Sequence, residues 1–282
     1  MLKRQTTGSV ICSACGELVG VNDDTCYSCG RKNPGMWGFA PALRSLGRDL
    51  GFVPFVIGAC VIVYVLTLIF SRGAIGVGGG LFSMFAPNTQ SLFLFGASGA
   101  VPVFRAGRWW TVFSAAWLHG GALHILFNMM WVRQLAPATA ELYGAGRTVI
   151  VYTLAGVAGF ALSSLAGAYI PGFLILRGGQ FTVGASASIF GLLGALVYYG
   201  RRAGSQAVGG QALSYALMMG LFGLVMPGVD NYAHAGGFGG GYLVALMLDP
   251  LKPERVDHMV GALVCLAVSV LAIVFSVVSV FL

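Results

Sequence analysis

The chain of 282 residues is 57% hydrophobic and only 9% charged, with a mean hydropathy of +0.84. An ordinary soluble domain has roughly a quarter charged residues, and a globule of this composition would expose large apolar patches to water. The composition excludes a soluble protein and predicts one that crosses the membrane several times. The net charge is +7, but the basic residues are scattered over loops without a basic stripe, which argues against nucleic acid as a partner.

Four of the six cysteines lie in two Cys-x-x-Cys-Gly segments, at Cys12, Cys15, Cys26 and Cys29. The first residues lack an apolar core, so we expect no cleavable secretory signal and a cytosolic N-terminus. In that reducing compartment, paired thiols favour a tetrahedral Zn²⁺ site over disulfides. Residues 10–34 therefore predict a zinc ribbon, with free or redox-active thiols as the alternative. Docking to a cytosolic partner, regulation and stability all remain open as its role.

Seven apolar segments follow a linker at residues 35–51, and most are close to the ~20 residues that span a bilayer. They lie near residues 53–70, 112–132, 148–168, 186–200, 211–227, 231–248 and 259–281. This predicts an all-α polytopic membrane protein, with a six-helix domain at 52–250 and a C-terminal linker and seventh helix at 251–282. The intervening segment 71–111 is suited to the membrane interface by its aromatic residues: Phe82, Phe85, Phe93, Phe95, Trp109 and Trp110.

The distribution of basic residues indicates the orientation. With the N-terminus inside, 12 Lys and Arg lie on the inner side, among them Arg48, Arg201 and Arg202. Four lie outside: Arg72, Arg105, Arg108 and Arg177. Without the six N-terminal charges the split is still 6 to 4, so the positive-inside rule supports a cytoplasmic N-terminus and an outer C-terminus. We expect a multi-pass protein of a bacterial plasma (inner) membrane.

In this orientation the second, fourth and sixth spans start at the outer face. His119, Ser186 and His234 lie near the respective starts, so all three are expected to meet on one side of the membrane. The fourth span is short, because Ser186 to Gly200 covers only ~22 Å as a helix against ~30 Å of hydrocarbon. Ser186 would then lie below the outer surface in a water-filled cavity, since unsatisfied amides in lipid are costly.

These polar residues predict nucleophilic catalysis. A serine becomes a nucleophile when a neutral imidazole accepts its proton, which indicates Ser186 as nucleophile and His234 as general base. His124 and Asn128 are four residues apart and project from one helical face, where both can donate to an oxyanion. The Ser186 amide, at a helix N-terminus, is a further donor.

Small residues are expected to bring the fourth and sixth spans together. Gly237 and Gly241 follow His234 at helical spacing, and Gly191 and Ala195 form a facing groove beyond Ser186. Only such close packing brings a serine hydroxyl within ~3 Å of an imidazole.

These motifs resemble those of rhomboid intramembrane serine proteases, over roughly residues 53–249. The family's Gly-x-Ser-Gly appears as Gly184-Ala185-Ser186-Ala187, and its two histidines and asparagine appear as His119, His124 and Asn128. Its Ala-His-x-x-Gly-x-x-x-Gly appears as Ala233, His234, Gly237 and Gly241. The resemblance implies a Ser186–His234 dyad without a carboxylate or a catalytic cofactor, and Phe190 packed on the histidine ring. It also implies transmembrane protein substrates that enter beside the fifth span.

The sequence departs from the family pattern in two places. Ala187 replaces the glycine after the serine, which bears on backbone freedom at the oxyanion loop. The family's Trp-Arg pair appears as Trp110-Thr111, with Arg108 nearby, which leaves open how the first outer loop is anchored. The ribbon and the seventh helix are additions to the six-helix core.

Several residues have a second interpretation. Ser186 alone is more often a helix cap than a nucleophile. Asp230 fits a third catalytic member or, as we prefer, it or Asn231 is the N-cap of the sixth span. His119 either ties the outer loop to the second span by hydrogen bonds or stabilises the oxyanion directly.

Three other functions compete with serine proteolysis. Three histidines suggest a metalloprotease, but His119 and His124 are five residues apart and lack the glutamate of a His-Glu-x-x-His site. A catalytically silent rhomboid-like protein that binds transmembrane helices is the main alternative, although Ser186 and His234 are both present. A transporter would need charged intramembrane residues, which the spans lack.

Overall fold

The computed structural model describes residues 3–45, 47, 49–72, 75–76, 84–172 and 177–281. Arg48 and Phe82, named in the sequence predictions, lie outside the described residues. Within these ranges a hairpin of β1 (Ser9–Ile11) and β2 (Leu18–Gly20) precedes ten α-helices. These are α1 (Ala40–Arg44), α2 (Phe52–Phe70), α3 (Thr89–Phe95), α4 (Thr111–Ser114), α5 (Ala122–Tyr143), α6 (Ala145–Tyr169), α7 (Ser186–Ala203), α8 (Gln206–Val225), α9 (Asn231–Leu248) and α10 (Val256–Val278).

The described chain has seven helices of 18 residues or more, which confirms the predicted polytopic α-helical fold. By length and apolar composition alone, four of the described helices qualify as membrane spans: α2, α6, α8 and α10. The other three, α5, α7 and α9, contain the candidate site residues. Their polar residues and glycines dilute the apolar character that a span normally shows.

The predicted start of the second span was wrong. The expected helix at 112–132 is instead a short α4, a 3₁₀ turn at Ala115–Trp117 and then α5 from Ala122. Gly120 and Gly121 separate the turn from the helix, and Gly121 has an extended backbone that is not helical. His119 therefore lies in the connection before α5 rather than on the helix.

Helices α6, α7 and α9 pack most extensively on one another and form the centre of the molecule. Most of α7 is buried, from Ala187 through Val197, whereas much of α8 and α10 is exposed. Exposed apolar side chains on α8 and α10 suit contact with lipid, because the bilayer replaces water as their solvent.

The N-terminal cysteine segment contacts one end of the helical bundle through Arg31. Arg31 is buried and pairs with Glu254, which lies in the connection between α9 and α10, with Nη1–Oε2 at 3.6 Å. Glu254 also accepts the Arg147 backbone N–H at the start of α6. Because α9 ends at Leu248 and begins at Asn231, this end of the bundle is opposite to the end that carries His234.

Candidate functional site

Ser186 is the first residue of α7, and the backbone before it makes this placement possible. Gly184 has a φ of +127°, a conformation that favours glycine, and its N–H donates to the Ala115 carbonyl at 2.9 Å. A Cβ at Gly184 would lie 2.6 Å from His124 Nε2. Ala185 holds the N-cap position without a side-chain cap. Ser186 is thus not the cap of its own helix.

The structure brings Ser186 and His234 into direct contact. His234 Nε2 lies 3.0 Å from Ser186 Oγ, within hydrogen-bond distance. The Phe190 ring stacks on the imidazole, with centroids 4.2 Å apart and planes 15° apart. His234 is buried, and its Nδ1 has no hydrogen-bond partner among the described residues. A proton can therefore pass from the hydroxyl to Nε2 while Phe190 fixes the plane of the ring.

Asp230 is the N-cap of α9, which confirms the preferred interpretation. Its Oδ1 accepts the Ala233 N–H at 3.0 Å, and its Oδ2 accepts the hydroxyl of Ser163 on α6. The neighbouring Asn231 donates from Nδ2 to the Gly223 carbonyl near the end of α8. The Asp230 carboxylate accepts hydrogen bonds from the Ala233 N–H and the Ser163 hydroxyl, and within the described part of the chain no carboxylate contacts the His234 ring.

His124 is oriented by the connection before α5. Its Nδ1 accepts the Gly120 N–H at 3.2 Å, so in the neutral ring the proton is on Nε2. That Nε2 faces Gly184, two residues before Ser186. His124 therefore presents an N–H donor beside the nucleophile segment.

Asn128 and His119 are less directly engaged with Ser186. Asn128 is buried and donates from Nδ2 to the His124 carbonyl in its own helix at 2.7 Å. The His119 ring is fully buried and meets the His124 ring edge-on, with centroids 5.2 Å apart. This geometry makes His119 a packing support for His124.

Glycines determine how closely α7 and α9 approach. A Cβ at Gly237 would collide with the Ala187 carbonyl, and one at Gly241 would collide with the Gly191 carbonyl. The two helices thus pack backbone against backbone below the Ser186–His234 contact. Ala187, which departs from the family pattern, takes part in this packing and is fully buried.

The four N-terminal cysteines converge as a second cluster. Their Sγ atoms all lie within 4.8 Å of one another, with Cys12–Cys29 at 3.8 Å and Cys15–Cys26 at 3.6 Å. Four thiolates on one tetrahedral Zn²⁺ at ~2.3 Å would lie about 3.8 Å apart, so the residues fit a metal ion. Burial raises the pKa of Cys29 to about 12, whereas the Cys29 backbone N–H lowers the pKa of Cys26 to about 7.

The sequence did not reveal several groups that support the Ser186–His234 site from outside it. Ser163 sits in an apolar helix, and its only sequence signal was a hydroxyl pair with Ser164 within a span. The Gly120 amide carries no side-chain signal at all. Arg108 was noted for its position, but one of its acceptors, the Ser276 carbonyl on α10, lies far away in the sequence.

The fold and the site define a multi-pass integral membrane protein in which a serine and a histidine from two helices meet inside the bundle. The model of the rhomboid family, described as "Rhomboid domain", matches residues 106–251 of this chain. The chain belongs to the rhomboid family.

Curated relatives support this assignment. The chain is 30% identical over 164 residues to the rhomboid protease GluP of Bacillus subtilis (strain 168), covering 57% of this chain and 30% of the relative. It is 31% identical over 173 residues to RHOMBOID-like protein 4 of Arabidopsis thaliana, covering 58% and 40%. For RHOMBOID-like protein 7 of the same plant the identity is 27% over 215 residues, covering 70% and 65%. The chain thus spans from under a third to just under two thirds of these relatives.

Proposed function

We propose that this chain is an intramembrane serine endopeptidase that cleaves peptide bonds in or next to transmembrane segments. The observation that carries the proposal is the 3.0 Å contact between His234 Nε2 and Ser186 Oγ. Membership of the rhomboid family supports it, and the relative from Bacillus subtilis is named a protease. His234 Nδ1 has no carboxylate partner among the residues that the structure describes, which supports a two-residue mechanism.

The proposed reaction is acyl transfer in two halves. His234 Nε2 takes the Ser186 hydroxyl proton as the serine oxygen attacks the substrate carbonyl, and the tetrahedral intermediate then expels the amine, which receives that proton from His234. Water, deprotonated by His234, attacks the resulting ester and releases the second product with Ser186 restored. The histidine alternates between base and acid, so no proton is lost.

The oxyanion would be stabilised by donors beside the nucleophile. The His124 Nε2–H is the strongest candidate, because the Gly120 amide leaves the proton on that nitrogen. The Ser186 amide at the α7 N-terminus contributes a second donor and a favourable dipole. Asn128 would fix the start of α5 through its bond to the His124 carbonyl. Its second amide hydrogen would donate to the oxyanion.

We place the site near the outer face of the membrane. Arg201 and Arg202 end α7, and Lys252 and the ribbon lie at the same end of the bundle, which the positive-inside rule assigns to the cytoplasm. Ser186 begins α7, so it lies toward the other face. This orientation gives a cytoplasmic N-terminus, an outer C-terminus and a plasma-membrane location in a bacterium.

The proposed substrates are transmembrane segments weakened by glycine, proline or other small residues. A stable helix hides its carbonyls in its own hydrogen bonds, so a bond becomes accessible to Ser186 only where the helix unwinds.

In the ribbon we propose a structural Zn²⁺ held by Cys12, Cys15, Cys26 and Cys29, which would supply folding energy to a segment too small for a core of its own.

The decisive experiment uses the full chain in liposomes with a transmembrane test substrate. Ser186→Ala and His234→Ala should each reduce cleavage at least about a thousandfold. Ser188→Ala is the matched control, because this buried serine lies on the same helix, and cleavage should stay within a few-fold of wild type. Fluorophosphonate should label Ser186, and a chelator should not stop cleavage.

Two outcomes would contradict the proposal. Cleavage that survives Ser186→Ala and stops with a chelator would indicate a metal site built from the histidines. A wild-type protein that binds the test substrate without cleaving it would indicate the silent rhomboid-like alternative.

A further inference from the structure

The outer end of α10 is joined to the loop between α3 and α4 by a buried arginine. Arg108 is 5% exposed, and its Nη2 donates to the Ser276 carbonyl at 2.6 Å while its Nη1 donates to the Phe93 carbonyl. The guanidinium also lies 4.2 Å from the centroid of the Phe93 ring. Ser276 is in the last turn of α10, where carbonyls lack backbone donors and the helix dipole is negative. Its carbonyl accepts the Ser279 hydroxyl at 3.1 Å and the Arg108 guanidinium, whose positive charge also suits the negative end of the helix.

Trp110 makes a second, independent connection to the same turn of α10. Its Nε1 donates to Ser276 Oγ at 3.0 Å, and its ring packs on Phe275 with centroids 4.5 Å apart. Gly96, with a φ of +101°, provides the opposite wall, since a Cβ there would lie 2.6 Å from Ser276 Oγ. The end of α10 thus fits a socket in which Arg108, Trp110 and Gly96 each contact Ser276.

The loop held by α10 is bonded in turn to the segment that leads into Ser186. Ser98 and Thr182 exchange both backbone hydrogen bonds, at 3.1 and 2.8 Å. Ala100 N–H donates to the Gly179 carbonyl at 2.9 Å. Farther along, Gly184 N–H donates to Ala115, which directly follows α4. The segment 179–184 therefore takes its path from residues 98–115, and those residues are fixed against α10.

We propose that α10 is a positioning element for the candidate site. Arg108 and Trp110 are positioning residues, because they fix the loop at residues 98–115 against α10 and that loop orients the segment before Ser186. The inference rests on the proposed function, because it assigns these residues to the geometry of the nucleophile. Neither side chain is assigned a contact with substrate. A helix that served only as a lipid anchor would need no buried arginine and no fitted hydroxyl at its end.

Arg108 also explains how the first outer loop is anchored although Thr111 stands where the family has an arginine. The loop lacks the arginine of the family's Trp-Arg pair, yet Arg108 supplies two donors to two carbonyls from a position three residues earlier. Thr111 caps this turn instead, with its Oγ1 donating to the Arg108 carbonyl at 2.7 Å. In this chain the anchor of the loop is therefore shared with the extra helix.

The test compares Arg108→Ala with Arg105→Ala in the full chain in lipid nanodiscs. Both variants remove one positive charge from the same loop, but Arg105 is exposed. Trp110→Phe keeps an aromatic ring near Phe275 but removes the N–H bonded to Ser276 together with part of the indole, so it tests the same connection by a smaller change than Ala. Ser269→Ala removes a hydroxyl of α10 that bonds within the helix and serves as a second control.

Two measurements are needed. The first is the rate of fluorophosphonate labelling at Ser186, which we expect to fall about tenfold in Arg108→Ala and about threefold in Trp110→Phe, with both controls within about twofold of wild type. The second is hydrogen exchange, which should accelerate at residues 179–185 in the two test variants and stay unchanged in α7 and α9.

Unchanged labelling together with unchanged exchange at 179–185 would overturn the proposal. A uniform acceleration of exchange across the whole bundle would also overturn it, because it would show a general loss of stability rather than local positioning. If the wild type does not label at all, the proposed function fails, whereas the exchange comparison still decides whether α10 holds the segment before Ser186.

Discussion

The protein contains two clusters of chemically active side chains that are assembled in opposite ways. The four cysteines of the ribbon come from one stretch of chain, residues 12–29, and two local turns point their sulfur atoms at one centre. The site at Ser186 draws on residues from Gly120 to His234, carried by α5, α7 and α9 and the connection before α5. The cysteine cluster depends on local turns, whereas the site at Ser186 depends on how closely helices pack.

This difference predicts that the two clusters respond differently to substitution. A small hairpin has little apolar surface to bury, so the proposed Zn²⁺ would supply much of its free energy of folding. The geometry of the helical site is set by glycines that let α9 touch the backbone of α7 at Ala187 and Gly191. In a close-packed interior, even one added methyl group moves its neighbours.

Among changes that keep the side chains of both Ser186 and His234, the largest effect should come from replacing a glycine between α7 and α9. Gly237→Val adds a side chain where even a Cβ would collide with the Ala187 carbonyl, so α9 must move away from α7. We expect fluorophosphonate labelling of Ser186 to fall about a hundredfold, since a displacement near 1 Å has that effect. Gly239→Val is the matched control, because a Cβ at Gly239 meets open space. An equal loss in both variants would place the cause in the β-branched residue rather than in the packing.

A smaller effect is expected at Asp230. Asp230→Asn keeps an oxygen acceptor for the Ala233 N–H and should label within about threefold of wild type, whereas Asp230→Ala removes the cap and should cost about 1 kcal/mol of stability. Labelling rates and thermal unfolding of the three proteins provide the comparison. A fall near 10⁴-fold in Asp230→Asn would instead assign the carboxylate to a catalytic triad.

The smallest effect on Ser186 should come from removal of the metal site. Cys12→Ser should abolish the single zinc ion expected per chain and accelerate hydrogen exchange over residues 10–34, but labelling of Ser186 should stay within about twofold of wild type. Cys60→Ser, a buried thiol of α2 far from the cluster in sequence, is the control for zinc content. If labelling falls in step with zinc content, the two clusters are coupled through the bundle.

Much of the site was predictable because the relevant signals are carried by side chains at fixed spacing. The order of the spans predicted that Ser186 and His234 would lie at the same end of the bundle, and close packing of α7 and α9 brings them to 3.0 Å. The apolar run by itself placed the start of the second span too early. The run before it is apolar enough for a helix, but Gly120 and Gly121 break it, and the Gly120 amide is then used to orient His124.

The sequence by itself determined the membrane class, the seven long helices, the cysteine cluster and the residue types of the site, because composition and local spacing express these directly. Only the tertiary structure decided which donor orients His124, which donors bond to the Asp230 carboxylate, and that the end of α10 contacts Arg108 and Trp110. Each of these is a contact between backbone or polar atoms, most of them far apart in the chain. Such contacts depend on differences of a few tenths of an ångström in the distance between helices. Packing sets that distance, and no local sequence pattern encodes it.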